Sequence, residues 1–251
     1  MGKAKIISFI NQKGGVTKTT SCISVASAMA RKGLKVLVCD LDQQCNASAS
    51  LGVLEAEINA YSVLKGQCDL DIINVTDNLY LLPASNDLAA FDLEMSSEPG
   101  TEFLLKEALQ PLKQVDVILI DCSPSLGLLT LNALTASDSY ICPVLPNHLS
   151  VAGMSKLVEI ADKVQRRLNP RLSLLGVLLS QFNSRKILHQ DTASVIKAHF
   201  GDKLFRTVIR ENISLAEAPS SGKSIFDYAP QSNGAIDYMN LTNEILEKLL
   251  Q

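Results

Sequence analysis

The residues with the greatest chemical potential lie near the start of the chain. There Lys13-Gly-Gly-Val-Thr-Lys-Thr-Thr20 follows the apolar run Ile6–Ile10. Gly14 and Gly15 let the backbone curl so that successive N–H groups converge on an anion. Lys18 is placed to reach the β- and γ-phosphates of a nucleotide, and the Thr19 hydroxyl to ligate Mg²⁺. Strand, glycine turn and helix N-terminus in that order make a phosphate-binding loop. The general pattern G-x-x-x-x-G-K-[ST] is nevertheless not met, because Gln12 and Thr17 occupy its two glycine positions. A dinucleotide fingerprint G-x-G-x-x-G is also absent, which weakens a nicotinamide reading.

Two acidic stations follow. The apolar run Val36–Cys39 ends in Asp40-Leu-Asp42-Gln-Gln-Cys-Asn46. Carboxylates at the C-terminal end of a parallel strand lie on the edge where α/β folds bind ligands. Alternation along an extended chain points Asp40 and Asp42 the same way, and either can hold a metal-bound water or orient a nucleophile. The run Val115–Ile120 then ends in Asp121-Cys-Ser-Pro-Ser-Leu-Gly127. An apolar strand closing on an aspartate is the Walker B arrangement, with Asp121 coordinating Mg²⁺ directly or through water. Ser123–Gly127 has the composition of a switch loop.

These stations need elements to hold them. Further apolar runs at Leu79–Leu82, Tyr140–Leu145, Leu172–Leu179 and Leu204–Ile209 are mostly continuous, as strands buried on both faces are. Helical patterns separate them at Thr19–Lys32 (with Gly33 as C-cap), Glu102–Lys113, Leu126–Ala136, Val151–Leu168, His189–Phe200 and Ala235–Leu250. Alternating strands and helices predict an α/β fold, doubly wound around a mostly parallel sheet in the manner of P-loop NTPases. One domain over residues 1–251 is the simplest reading. Leu51–Asp77 reads as a helix-rich insertion or a connection, and Ser96–Gly100 as a break.

The net charge of -3 hides an asymmetry. Lys163–Lys223 carries 11 Lys/Arg against 4 Asp/Glu, a local +7, while the remainder carries 12 against 22. Such a bias can mark a polyanion-binding face. The six cysteines form no C-x-x-C pair and sit largely in apolar runs, as reduced core residues do. The three histidines are far apart, which argues against zinc. No leader and no apolar run of membrane-spanning length is present, pointing to a cytosolic protein.

Taken together, the lysine-first loop Lys13–Thr20 resembles the deviant Walker A motif of the ParA/MinD ATPases. The Asp40–Gln44 element, Asp121–Gly127, Asn212-Ile-Ser-Leu-Ala-Glu-Ala-Pro-Ser220 and Ile225-Phe-Asp-Tyr-Ala-Pro-Gln-Ser-Asn-Gly-Ala235 resemble its ParA/Soj branch, over nearly the whole chain. The resemblance implies an ATP-dependent partition protein, cytoplasmic and nucleoid-associated. Such a protein forms a homodimer on ATP, binds double-stranded DNA nonspecifically and hydrolyses ATP when a ParB-type partner stimulates it. By position, Lys13 looks like the lysine that crosses to the partner's nucleotide, and Asp42 like the residue that positions the attacking water. Nucleotide contacts are implied for Lys13, Gly14, Gly15, Val16, Thr17, Lys18, Thr19 and Thr20. Thr19 and Asp121 would serve Mg²⁺. The Arg210-Glu-Asn212 segment would pass near the adenine, with Asn212 the better choice.

Three residues depart from the family pattern. Thr17 stands where many relatives have Gly, Gln43 where Pro is usual, and Cys45 where Gly is usual. A β-branched residue is costly if φ at position 17 is positive. The chain begins a few residues before the first strand, so the operator-binding extension of some plasmid relatives is not expected. DNA contact would then be electrostatic, through Arg185, Lys186, Lys197, Lys203, Arg206, Arg210 and Lys223. Two other readings compete. A MinD-like membrane-associated regulator needs a basic amphipathic C-terminal helix. Here Gly234–Gln251 carries Asp237, Glu244 and Glu247 against Lys248 alone, and Ile236, Met239, Ile245 and Leu249 read as a core stripe. A metabolic enzyme on the same fold, an iron–sulfur reductase or an amidotransferase-type ligase, is the other. Cys122 is not where the cluster pattern places a cysteine.

Overall fold

The computed structural model describes residues 4–147 and 149–250. Seven strands form one sheet: β1 Lys5–Phe9, β2 Val36–Leu41, β3 Ile73–Thr76, β4 Leu79–Leu82, β5 Val117–Cys122, β6 Ser139–Val144 and β7 Ser173–Leu179. Their order is β3-β4-β2-β5-β1-β6-β7, parallel except for β3. The helices in chain order are α1 Lys18–Arg31, α2 Asn46–Ser50, α3 Ala60–Leu64, α4 Leu88–Met95, α5 Leu104–Leu109, α6 Leu128–Ala136, α7 Leu149–Arg167, α8 Ile187–Phe200, α9 Ser214–Glu217, α10 Ile225–Tyr228 and α11 Asn233–Leu249.

Every residue of β2, β5 and β6 is buried, which is why those runs read as continuous. One face of the sheet packs on α1 and α11, the other on α5, α6 and α7. Ser8, a polar residue mid-way along β1, is fully buried because its hydroxyl pairs with Ser137 and donates to the Ala133 carbonyl of α6. Gly33 (φ +86) does end α1, donating its N–H to the Ala30 carbonyl, as its C-cap reading requires.

The structure departs from the sequence reading in several places, and α4 Leu88–Met95 is a helix where none was read. β3 was not anticipated: it has four residues, is half-exposed and joins β4 antiparallel with an irregular register. The pattern at Glu102–Lys113 contracts to a 3₁₀ turn at Thr101–Phe103 followed by α5. On α11 the buried stripe is Ala235, Tyr238, Leu241, Thr242 and Ile245, while Ile236 is 47% exposed. Leu204–Ile209 is not a strand. It runs beside β7 with only isolated bridges, Val177 to Leu204 and Phe182 to Arg210. Phe205 and Ile209 donate to the Val177 and Leu179 carbonyls, but the N–H groups of Arg206 and Thr207 are taken by the Glu244 carboxylate of α11. A side chain has replaced the ladder there.

The same segment presses Phe205 onto β7 at Gly176, where an added Cβ would lie 2.5 Å from the ring. Phe205 is itself buried and has no room to retreat. Gly176→Ala is expected to cost about 1–3 kcal/mol by overpacking, lowering the melting temperature by roughly 2–4 °C per kcal/mol. Thermal unfolding followed by circular dichroism tests this.

Candidate active site

The glycine turn stands between β1 and α1, braced from below. The Asn11 amide donates to the Pro143 carbonyl (2.7 Å) and its Oδ1 accepts the Lys13 N–H (3.0 Å), so the loop is pinned to β6. Gly15 has φ +71 and needs glycine's freedom. Gly14 does not have a positive φ, and a Cβ there would meet nothing within 4 Å. Val16 is buried and anchors the turn. Thr17 has φ +69 and ψ +23, so the left-handed conformation arises at the departure from glycine. Such a conformation costs a non-glycine residue about 1–2 kcal/mol.

The two lysines of the loop differ sharply. Lys18 is buried, its Nζ turned back toward the Lys13 carbonyl (3.4 Å), whereas Lys13 is exposed and in no ion pair among the described residues. Thr19 is half-buried beside Asp121. Thr20 lines a narrow crevice with Ile23, Leu215 and Pro219.

β2 and β5 are adjacent, and Asp40 is the register partner of Asp121. Both are fully buried. Asp40 is fully committed: Oδ1 accepts the Asp42 N–H, and Oδ2 accepts the N–H and hydroxyl of Ser48 (2.8 and 2.7 Å). Burial pushes its pKa up to about 6 despite those bonds. It therefore anchors α2, and Asp42, two residues on, is itself buried. Asp42 Oδ1 accepts the Gln44 N–H and its carbonyl accepts the Cys45 N–H, closing a tight turn. Cys45 sits at φ +54, a second left-handed residue that is not glycine.

Among the described residues neither carboxylate oxygen of Asp121 has a close hydrogen-bond partner, the Thr19 hydroxyl standing beside it. Burial raises its pKa well above the carboxylate range and the charge of Asp40 adds to this, while the Thr19 hydroxyl and Lys18 offset part. An orphaned buried carboxylate beside a hydroxyl fits a hard divalent cation. Among the described residues no three His, Cys, Asp or Glu side chains form a metal cage. Mg²⁺ held by one carboxylate, a hydroxyl and phosphates needs none.

Beyond Asp121, Ser123 and Ser125 bond to one another (2.7 Å), and the Thr130 hydroxyl donates to the Ser125 carbonyl. One residue escaped the sequence reading. Asp92 of α4 accepts the Leu128 N–H at the start of α6 (3.0 Å), and a Cβ on Gly127 would overlap its carboxylate. No spacing rule links Asp92 to this loop.

The Arg210–Asn212 segment reaches the same end of the sheet through the Phe182 bridge beyond β7. The Arg210 guanidinium is engaged by Asp237 (Nη2 to Oδ1, 2.6 Å) and its own N–H donates to the same carboxylate. Asn212 Oδ1 accepts the Ser214 N–H. Of the other basic candidates, Lys186 pairs with Glu211, Lys197 with Asp202 (3.7 Å), and Arg206 with Glu247 (2.9 Å) and Glu244. Arg185, Lys203 and Lys223 have no carboxylate partner among the described residues. Arg185 and Lys186 flank the start of α8, with Lys197, Lys203 and Arg206 at its far end, so these residues form no single cluster. All six cysteines are free thiols, four of them buried.

An AAA domain family model matches residues 4–174. The chromosome-partitioning ATPase Soj of Thermus thermophilus is 41% identical over 247 residues, covering 98% of this chain and 97% of that protein. A cobyrinic acid a,c-diamide synthase from Mycobacterium smegmatis, solved with an ATP analog and magnesium, is 30% identical. It has a TM-score of 0.86 and coverage of 99% and 97%. A plasmid partition protein from Borrelia burgdorferi bound to AMPPNP is 29% identical, with a TM-score of 0.82 and coverage of 99% of each chain.

An uncompensated buried carboxylate has a cost that can be measured. Asp121 holds its proton more tightly folded than unfolded, so the folded state loses stability as pH rises from the unfolded pKa toward the folded one. Asp121→Asn is expected to raise metal-free stability by about 1–3 kcal/mol at pH 8. The gain should shrink as pH falls and the native carboxyl is protonated. Urea unfolding at a series of pH values, in EDTA, checks both sign and trend.

Proposed function

The chain belongs to the ParA/Soj family of partition ATPases within the AAA domain group, and from that premise we propose that it is a nucleotide-controlled DNA segregation switch. In this reading two copies close around two Mg²⁺-ATP molecules, the closed dimer binds double-stranded DNA without sequence preference, and a ParB-type partner stimulates hydrolysis. It works in the cytoplasm on the nucleoid. Among the described residues no helix is long and apolar enough to cross a membrane.

The observation that carries the proposal is the contrast between Lys13 and Lys18. Lys18, buried behind the turn, is held to serve the phosphates of its own subunit's nucleotide. Lys13, exposed and with no ion pair among the described residues, is free to serve another subunit's. A charge delivered across an interface neutralises phosphate oxygens only when the dimer closes, which ties hydrolysis to assembly. Thr19 and Asp121 hold Mg²⁺, which when bound neutralises charge on the phosphate oxygens. Asp42, which follows β2 and whose Oδ1 accepts the Gln44 N–H, orients the attacking water, while Asp40 is held by Ser48. Gly14 to Thr20 wrap the phosphates through their backbone. Asn212 and the backbone of Arg210 border the base, since the Arg210 side chain is engaged by Asp237. For DNA, the unpaired Arg185, Lys203 and Lys223 are better contacts than Lys186, Lys197 and Arg206, whose charges are already partnered.

Two experiments test this. Lys13→Ala is expected to abolish ATP-dependent DNA retention. Asp42→Ala should keep it in ATP while hydrolysis falls roughly 100-fold. Identical behaviour of both variants and the wild type, measured by DNA co-sedimentation and phosphate release, would sink the switch. Separately, ATP-dependent DNA affinity should fall by roughly tenfold or more between about 50 and about 200 mM salt. Salt-insensitive binding, or equal binding without nucleotide, counts against an electrostatic contact.

A further inference from the structure

Thr17 ends the phosphate loop and occupies the N-cap of α1, yet its side chain makes no capping hydrogen bond. A threonine in that position ordinarily accepts from the first turn of its own helix. Here Thr17 Oγ1 instead donates to Ser180 Oγ at 2.7 Å, with a longer contact of 3.4 Å to the Ser21 hydroxyl. Ser180 is fully buried, immediately beyond β7, and its N–H donates to the Val144 carbonyl at the end of β6. Gln181, which follows, has φ +51, so the chain turns sharply just where the hydroxyl is presented.

A second link leaves the same loop. The Thr17 carbonyl accepts the Ser21 N–H (2.8 Å), and the Ser21 hydroxyl pairs with Tyr238 Oη (2.9 Å). Tyr238 is fully buried on α11, next to Asp237, which grips both the backbone and the guanidinium of Arg210. A chain of hydroxyls thus runs from the end of β7 through Thr17 and Ser21 to α11. From there it reaches the Arg210–Asn212 segment.

We propose that Ser180 is a positioning residue for nucleotide binding, holding Thr17 in the left-handed conformation that shapes the phosphate loop, with Tyr238 bracing the same loop from α11. A glycine at position 17 adopts that conformation unaided. A threonine needs a partner to stay there, and Ser180 supplies it. The geometry also joins the two ends of the nucleotide site, because α11 holds both Ser21 and Arg210.

The test is a double-mutant cycle read by binding of a fluorescent ATP analogue, mant-ATP, with Mg²⁺. Ser180→Ala in the wild-type background should weaken binding about fivefold, the weight of one net hydrogen bond. In the Thr17→Gly background the same substitution should change binding less than about twofold. Ser180→Thr, which keeps the hydroxyl, should restore wild-type affinity. Thr17→Val keeps the shape and deletes the donor at the other end, so it should match Ser180→Ala even if the buried Ser180 variant folds poorly. An equal loss from Ser180→Ala in both backgrounds, or no loss from Thr17→Val, overturns the proposal. It rests on the nucleotide reading. Normal mant-ATP binding by the wild type with an additive cycle removes this role alone, whereas no binding by the wild type removes both.

Discussion

At the C-terminal end of the sheet, Asp40 and Asp121 lie side by side on neighbouring strands with no solvent to separate their charges. Two buried carboxylates at that spacing cannot both ionise freely, and the fold resolves the conflict unequally. Asp40 is given three hydrogen bonds and becomes the anchor of α2. Asp121 is given no close bond among the described residues, with the neighbouring Thr19 hydroxyl and the Lys18 charge as partial relief. That inequality organises the site. It fixes which carboxylate is structural and leaves the other in want of a cation. It also leaves the Asp42 carboxylate, two residues beyond the anchor, bonded within its own turn. The buried position of Lys18 follows from the same need, since burying an ammonium is tolerable only near opposite charge.

The central strands and the helices between them were legible because burial on both faces writes an unbroken apolar run, and a helix writes its own period. The phosphate turn and its carboxylates were legible because each lies at a strand end, where a charged residue interrupts such a run. What escaped depends on contacts distant in sequence. β3 is short and half-exposed, and Ile73-Asn-Val-Thr76 has too little apolar character to announce itself. Leu204–Ile209 has the composition of a strand, but Glu244 takes two of its N–H groups from 37 and 38 residues away. Asp92 reaches the loop before α6 across 36 residues. The steric cost of Thr17 was foreseeable from its branching. Its partner Ser180, 163 residues on, was not.

α11 illustrates how one element serves two chemistries. Its apolar stripe, centred on Tyr238, Leu241 and Ile245, packs on α1 as any amphipathic helix would. Its acidic residues are not simply a solvated face. Asp237 and Glu244, both nearly buried, satisfy backbone donors of the irregular segment beside β7 that no strand partner serves. The negative charge that separates this helix from a membrane-seeking one is thus used inside the molecule.

The carboxylate of Glu244 has one more effect, on how copies of this chain can meet. A sheet edge with free N–H and C=O groups invites a strand from a neighbour. Beyond β7 those donors are occupied by a side chain, and at the opposite border β3 is four residues long and out of regular register with β4. Both borders are therefore poor templates for strand addition. Copies that assemble are steered toward contacts through helices and loops, with little opportunity to stitch their sheets together edge to edge.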